Sequence, residues 1–224
     1  MYTLSTLFQD SSHSSSLFGE DAIHAIENKI YIKTVKGTNI PYIECQVRRK
    51  AIRLTPEEAV RQLYIYNLVH NYGYSTNQME LERHIHFGRE VKRADIVIFE
   101  QAHPNSEYII IEVKKPKLSE GKEQLKSYCN ATGATMGVWT NGQQISFYHR
   151  KDPNYFEDIP NIPSATQKLK DILTERWTID DLVSKDKLVC EKKSLKGLIE
   201  EMEDEVLANA GVDVFEYRKN SSVF

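Results

Sequence analysis

The spacing of apolar and polar positions changes period several times along the chain, and each change marks an element. Residues 28–48 form two β-rich runs on either side of Lys36-Gly37-Thr38-Asn39. This pattern predicts a hairpin with a four-residue turn in which the glycine supplies positive φ. Thr55-Pro56-Glu57-Glu58 then offers an N-cap, a proline at the first helical position and a glutamate where a capping box needs one. The helix it opens is expected to bury Val60, Leu63, Tyr64 and Leu68, with Gly73 as its stop signal.

From 79 to 140 the rhythm becomes that of strands. A half-polar strand ends at Phe87, and two more are expected at 94–99 and 108–114, separated by turn formers. Residues 119–131 have helical character with Gly133 beyond their end, and strands at 135–140 and 143–149 flank Asn141-Gly142, a two-residue hairpin signal. Past Pro160 and Pro163 helix formers dominate, predicting helices at 164–177, 178–184 and 194–208. The order is helix, three strands, helix, two strands. It predicts an α/β chain with an N-terminal extension carrying a β-hairpin (1–50), a core (51–160) and a helical C-terminal segment (161–224).

Composition narrows the function classes only a little. The net charge of −3 gives no global positive field that would advertise a nucleic-acid partner. An enzyme that gathers its own acids around a divalent cation would nevertheless look like this. Cys45, Cys129 and Cys190 are too widely spaced for a zinc site and too few for a disulfide framework, which suits a reducing cytoplasm. The N-terminus lacks an export signal, and no run is long and apolar enough to span a membrane.

The candidate chemistry lies in two successive strands that end in charges a packed strand should not want. Asp95 precedes Ile96-Val97-Ile98-Phe99, and Glu112 follows Ile109-Ile110-Ile111. The two-residue period of a strand puts Glu112 and Lys114 on one face and turns Val113 toward the core. If the strands pair, Asp95 lies across from them. Asp95, Glu112 and the Val113 backbone carbonyl would then form a hard oxygen site suited to Mg²⁺, with Mn²⁺ as a substitute. A water acidified there and held by Lys114 would attack a phosphodiester in line. The bland alternative is an exposed Glu-Lys pair on an edge strand, but the Ile109-Ile110-Ile111 run is apolar on both faces, as in a central strand.

These residues resemble the PD-(D/E)XK nuclease superfamily, and specifically the N-terminal nuclease region of type I restriction R subunits and of fused restriction-modification proteins. The likeness runs over about residues 50–150. It is carried by Lys92-Arg93-Ala94-Asp95-Ile96-Val97-Ile98-Phe99, by Ile111-Glu112-Val113-Lys114-Lys115-Pro116, by Gln124-Leu125-Lys126-Ser127-Tyr128, by the capped helix with Glu57-Glu58-Ala59-Val60-Arg61-Gln62 and by the Thr140-Asn141-Gly142 hairpin. The resemblance implies a mixed central β-sheet flanked by helices. It also implies that Asp95 and Glu112 hold metal, that Lys114 activates or orients water, and that Gln124 and Tyr128 support the site or contact DNA. A further acid is expected on the preceding helix or strand, where Glu58, Glu80 and Glu82 compete. Glu58 ranks first, although a capping box would also explain it.

A DNA track would draw on Arg83, Arg89, Lys92, Arg93, Lys115, Lys117, Lys122 and Lys126, which flank the proposed site. His84 and His86 share a strand face without a third ligand at recognisable spacing. Asp152-Pro153-Asn154-Tyr155 is expected to be a turn. Residues 198–215 resemble the linker between nuclease and methylase regions in fused proteins. No ATP-binding loop or methylase fingerprint is present, so motor, methylase and specificity functions would come from other domains or subunits. The implied function is a metal-dependent DNA endonuclease module. A non-catalytic DNA-binding or assembly module, and an RNA-directed or repair nuclease of the same fold, are the other two readings.

Overall fold

The computed structural model describes residues 2–87, 89–114, 118–153 and 155–173. The chain divides into two units, Met1–Thr174 and Glu175–Phe224, and all of these residues lie in the first. In chain order the elements are α1 (Leu4–Phe8), α2 (Glu20–Glu27), β1 (Tyr31–Val35), β2 (Thr38–Glu44), β3 (Ala51–Arg53), α3 (Pro56–His70), β4 (Met79–Phe87), β5 (Glu90–Phe99), β6 (Glu107–Val113), α4 (Leu118–Thr132), β7 (Met136–Thr140), β8 (Ile145–Asp152), β9 (Tyr155–Asp158) and α5 (Leu169–Leu173). Of the expected C-terminal helices, α5 occupies part of 164–177, while those at 178–184 and 194–208 lie outside the described residues.

Strands β4 to β9 form one six-stranded sheet in sequence order. All neighbours are antiparallel except β6 and β7, which run parallel because α4 carries the chain back across the sheet. The sheet is therefore mixed, with helices on its faces. One core packs Ile96, Ile98, Ile109, Ile111 and Val113 against α3. A second packs Val97, Ile110 and Trp139 against Leu125, Tyr128 and Cys129 of α4. Helix α3 starts as its cap predicts, with Thr55 Oγ1 accepting from the Glu58 amide at 3.2 Å. Its first turns are buried nearly all round, Glu58, Arg61 and Gln62 included, because α1, α2 and the chain after β2 cover the side away from the sheet.

Three local differences from the sequence reading have physical causes. The β1–β2 turn has two residues, because Val35 pairs with Thr38 and both Lys36 (φ 49°) and Gly37 (φ 79°) adopt the left-handed conformation whose twist matches the strands. The connection after β7 has four residues, because Thr140 pairs with Ile145 and the Asn141 side chain accepts from the amides of Gln143 and Gln144 at 2.9 and 2.7 Å. The extension contains two helices besides its hairpin. Helix α2 follows Gly19 with no side-chain cap, so burial of Ala22 and Ile26 and the bond from the Leu4 amide to Glu27 fix it, and sequence gives little sign of either.

The N-terminal segment straps across the 141–144 turn, with the amides of Ser14 and Leu17 donating to the carbonyls of Asn141 and Gly142 at 3.2 and 3.1 Å. A β-carbon on Gly142 would stand 1.8 Å from the Ser14 carbonyl oxygen at φ +85°. Gly142→Ala is therefore expected to cost at least about 2 kcal/mol, from overpacking and backbone strain together. A thermal melt should record a fall of roughly 4–8 °C.

Candidate active site

Strands β5 and β6 pair with Ile96 opposite Ile111, so the next residues along, Asp95 and Glu112, sit on adjacent strands. Glu112 and Lys114 share the α4 side of the sheet with Ile110, while Val113 enters the α3 core, as the strand period requires. The β4–β5 ladder is less regular. Leu81 and Ile96 face α3, yet Ile85 and Ala94, of the same parity, face α4. The alternation of both strands reverses across the rung that holds Glu82 and Asp95. Glu82 there adopts φ +54°, a conformation that costs a non-glycine residue energy and is held only by its surroundings.

The reversal brings Asp95 to Arg61. Asp95 Oδ1 accepts from Arg61 at 2.5 Å, and Oδ2 accepts from the Val113 amide at 2.7 Å. Glu112 is fully buried, and neither of its carboxylate oxygens has a hydrogen-bond partner. Lys114 Nζ stands 3.2 Å from Glu112 Oε1, an ion-pair distance outside hydrogen-bonding geometry. Burial, reinforced by the Asp95 charge and only partly opposed by Lys114, pushes the Glu112 carboxyl up to about 8. Burial works against the Lys114 ammonium, but Glu112, Asp95 and Glu57 outweigh it and hold Lys114 above its ordinary value. Lys114 therefore remains charged at neutral pH, with its head partly in solvent.

Around this pair lies a charge network that centres on Arg61, a residue that the sequence reading passed over. Its buried guanidinium bonds Glu58, Asp95 and, at 3.1 Å, Glu57, and lies 3.9 Å from Glu82. Arg48 also escaped notice, and it bridges Glu82 at 2.8 Å and Glu58 at 3.6 Å. Among the three competing acids, Glu58 faces Arg61, Gln62 and Arg48 and does not fold back onto its cap, and Glu82 joins the network. Glu80 instead pairs with Arg83 at 2.6 Å. Glu57 is also part of the cluster, and burial, with Asp95 adding to it, raises its carboxyl above the usual range. The signal that could have found Arg61 is its i, i+3 and i+4 spacing from Glu58 and Glu57 on a helix that is otherwise core.

Gln124 and Tyr128 come together on α4. Gln124 Nε2 donates to the Tyr128 hydroxyl, which donates to the Arg93 carbonyl at 3.4 Å. Tyr128 is otherwise buried in the α4 core, its ring 5.8 Å from that of Phe87. The pair thereby ties α4 to β5 two residues before Asp95. Several cations of the expected DNA track are engaged. Arg83 bonds Glu80 and Glu107, Lys92 pairs with Glu90, Lys126 with Glu123, and Lys122 lies over Trp139. Lys115 and Lys117 lie outside the described residues. His84 and His86 are exposed, and no group of three His, Cys, Asp or Glu side chains forms a cation cage among the described residues. Asp95 and Glu112 with a carbonyl and waters would be a leaner set. Glu112 fits such a role, because its buried oxygens lack hydrogen-bond donors and Lys114 only partly offsets the burial that opposes its ionisation, so a cation bound there would favour the carboxylate.

Residues 56–163 match the family model described as the type I restriction enzyme R protein N terminus. That match takes in just under half of the chain, and it supports the resemblance to a PD-(D/E)XK nuclease. The matched stretch takes in Glu57, Glu58, Arg61, Glu82, Asp95, Glu112, Lys114, Gln124 and Tyr128, and leaves β1 to β3 outside. No curated protein matches the chain. Among solved structures, the type IIG restriction endonuclease BpuSI is similar with a TM-score of 0.37 and 20% identity, over 54% of this chain and 14% of that one. A candidate nuclease belonging to DUF820 from Anabaena variabilis is similar with a TM-score of 0.35 and 16% identity, over 68% of this chain and 89% of that one. The matched region is thus similar to a nuclease-like module of restriction-system type, and no helix among the described residues is long and apolar enough to cross a membrane.

Proposed function

We propose that the chain is a divalent-cation-dependent DNA endonuclease module of a type I-like restriction-modification system, with target choice, methylation and motor activity supplied by other domains or subunits. The observation that carries this reading is buried Glu112, whose oxygens lack hydrogen-bond partners and whose one ion pair is with a charged Lys114 at 3.2 Å, beside Asp95. Asp95, Glu112 and the Val113 carbonyl would hold Mg²⁺ or Mn²⁺. Such a cation supplies an acidified water and neutralises charge on phosphate when bound.

The chain's own residues do the rest. Lys114 keeps its proton, so it orients the attacking water and stabilises charge on the phosphoryl oxygens, and a general base must be sought elsewhere. Arg61 fixes Asp95, and the Val113 amide fixes its second oxygen, so the carboxylate is positioned before substrate arrives. Glu58 acts through Arg61, and Gln124 with Tyr128 steadies β5 through the Arg93 carbonyl.

The test is incubation of the full chain with supercoiled plasmid and Mg²⁺ or Mn²⁺, beside Lys114→Ala. The wild type is expected to nick and linearise the plasmid, and the variant to leave it intact. Cleavage by both proteins would overturn the assignment to this site. If neither cuts, Mn²⁺ titration calorimetry with Asp95→Ala as control decides. Binding by the wild type alone preserves the metal site, whereas binding by neither leaves the non-catalytic DNA-binding or assembly reading.

A further inference from the structure

The most basic stretch of the sequence lies outside the residues matched to the nuclease family. Residues 29–53 contain seven cations (Lys29, Lys33, Lys36, Arg48, Arg49, Lys50 and Arg53) and one carboxylate, Glu44, in a chain whose net charge is −3. These residues form the three-stranded antiparallel sheet β1-β2-β3, a structure separate from the six-stranded sheet. All of its cations except Arg48 are exposed.

The register sorts the sheet into two faces. Ile43 and Ile52 point toward the α3 core. On the opposite face Tyr31 pairs with Tyr42 and Tyr42 with Arg53, so one rung crosses all three strands, and Lys33 lies two residues along β1 from that rung. Strand β1 is exposed throughout. Lys33 Nζ sits 5.5 Å from the Tyr31 ring centre and 4.7 Å from that of Tyr42. Both rings are therefore capped by an ammonium, which offers its charge to an anion and leaves the rings covered against stacking bases.

We infer that this outer face, with Lys33 and Arg53 on it and Lys36 in the adjoining β1–β2 turn as its principal contacts, is a docking surface for the phosphate backbone of duplex DNA. Charge complementarity selects the partner, since Lys33, Lys36 and Arg53 have no ion-pair partner among the described residues and Glu44 is the one carboxylate on the sheet's outer face. The length suits a duplex. Five residues of β1 extend about 17 Å, which matches about five phosphates of one strand at their ~3.4 Å rise. The surface is also fixed relative to the candidate site. Gln46, just beyond β2, bonds Gln62 of α3 at 3.0 and 3.2 Å, and Arg48 reaches Glu82 and Glu58. DNA held here would approach the carboxylates in a set orientation. Contacts of this kind give affinity without reading sequence, as expected where target choice comes from elsewhere.

The inference rests on the nuclease reading, so the test separates the two. Anisotropy of a labelled duplex is measured with the full chain in EDTA, across a salt series, for the wild type, Lys33→Glu/Lys36→Glu and the charge-matched control Lys168→Glu/Lys170→Glu on α5 and its approach. The hairpin variant is expected to bind on the order of tenfold more weakly, with a salt slope shallower by about 1.8, as loss of two phosphate contacts requires. The control should lose less than about threefold. The neutral pair Lys33→Gln/Lys36→Gln should fall between, which guards against a folding defect from charge reversal. Equal losses in hairpin variant and control, or no loss in the hairpin variant, would overturn the docking surface. So would unchanged DNA affinity with a shift in sedimentation, which would make the face a contact between copies. Plasmid cleavage with Mn²⁺ reports separately on the catalytic reading. A wild type that cuts, with a hairpin variant that still binds, sinks only the surface. A hairpin variant that loses binding, with a wild type that never cuts, sinks only the nuclease.

Discussion

Glu112→Gln is expected to stabilise the metal-free protein while removing its affinity for Mn²⁺. The sign follows from proton linkage. An unfolded glutamate releases its proton near pH 4.5, whereas buried Glu112 retains it to about pH 8. Between those values the native state binds more protons than the unfolded state, so wild-type stability falls as pH rises and levels off above about 8. The amide variant has no such slope. Its advantage should be absent below pH 4.5 and greatest near pH 8, where it reaches on the order of a few kcal/mol, reduced by the loss of the Lys114 pair. A divalent cation needs the ionised carboxylate, so wild-type Mn²⁺ affinity should rise by up to about tenfold per pH unit toward pH 8. Melting curves at several pH values, with and without Mn²⁺, measure both. A wild-type melting temperature that stays flat across this window, or rises with pH, would mean that Glu112 ionises normally in spite of its burial.

The elements legible in sequence were those that declare themselves locally. The Thr55-Pro56 cap, the apolar run Ile109-Ile110-Ile111 before Glu112, and Gly133 after α4 each fix a backbone choice within a few residues, and the structure follows them. Helix α1 has five residues and α2 no side-chain cap, so both depend on partners distant in sequence, as when the Leu4 amide donates to Glu27 at 2.8 Å. The candidate site divides in the same way. The pairing of Glu112 with Lys114 follows from strand period, and that of Gln124 with Tyr128 from helix period. The spacing of Glu58 and Arg61 is also that of a solvated i, i+3 pair, and beyond the apolar character of the rest of the helix only α1, α2 and the chain after β2 turn that face of α3 inward. The left-handed Glu82 is equally silent. A glutamate in a strand pattern gives no sign that the alternation of two strands will reverse at that rung.

Arg61→Met is expected to be strongly destabilising. The side chain is of similar length and apolar, so packing is largely kept and the loss falls on charge. Asp95 and Glu58 would be left buried without their shared cation, and removing one partner of a buried pair costs about 3–5 kcal/mol. The melting temperature should fall by roughly 10 °C or more. Arg61→Lys should recover only part of it, because an ammonium cannot present the planar fork that bridges Glu58, Glu57 and Asp95 together. Divalent metal discriminates an electrostatic role from a packing role. If the guanidinium is the cation that holds these acids together, saturating Mn²⁺ should raise the melting temperature of Arg61→Met by more than that of the wild type, since binding to the native state now also relieves the unpaired carboxylates. A variant that melts like the wild type, or one that Mn²⁺ stabilises no more than the wild type, would mean that Asp95 is held by the Val113 amide and its strand neighbours without help from α3.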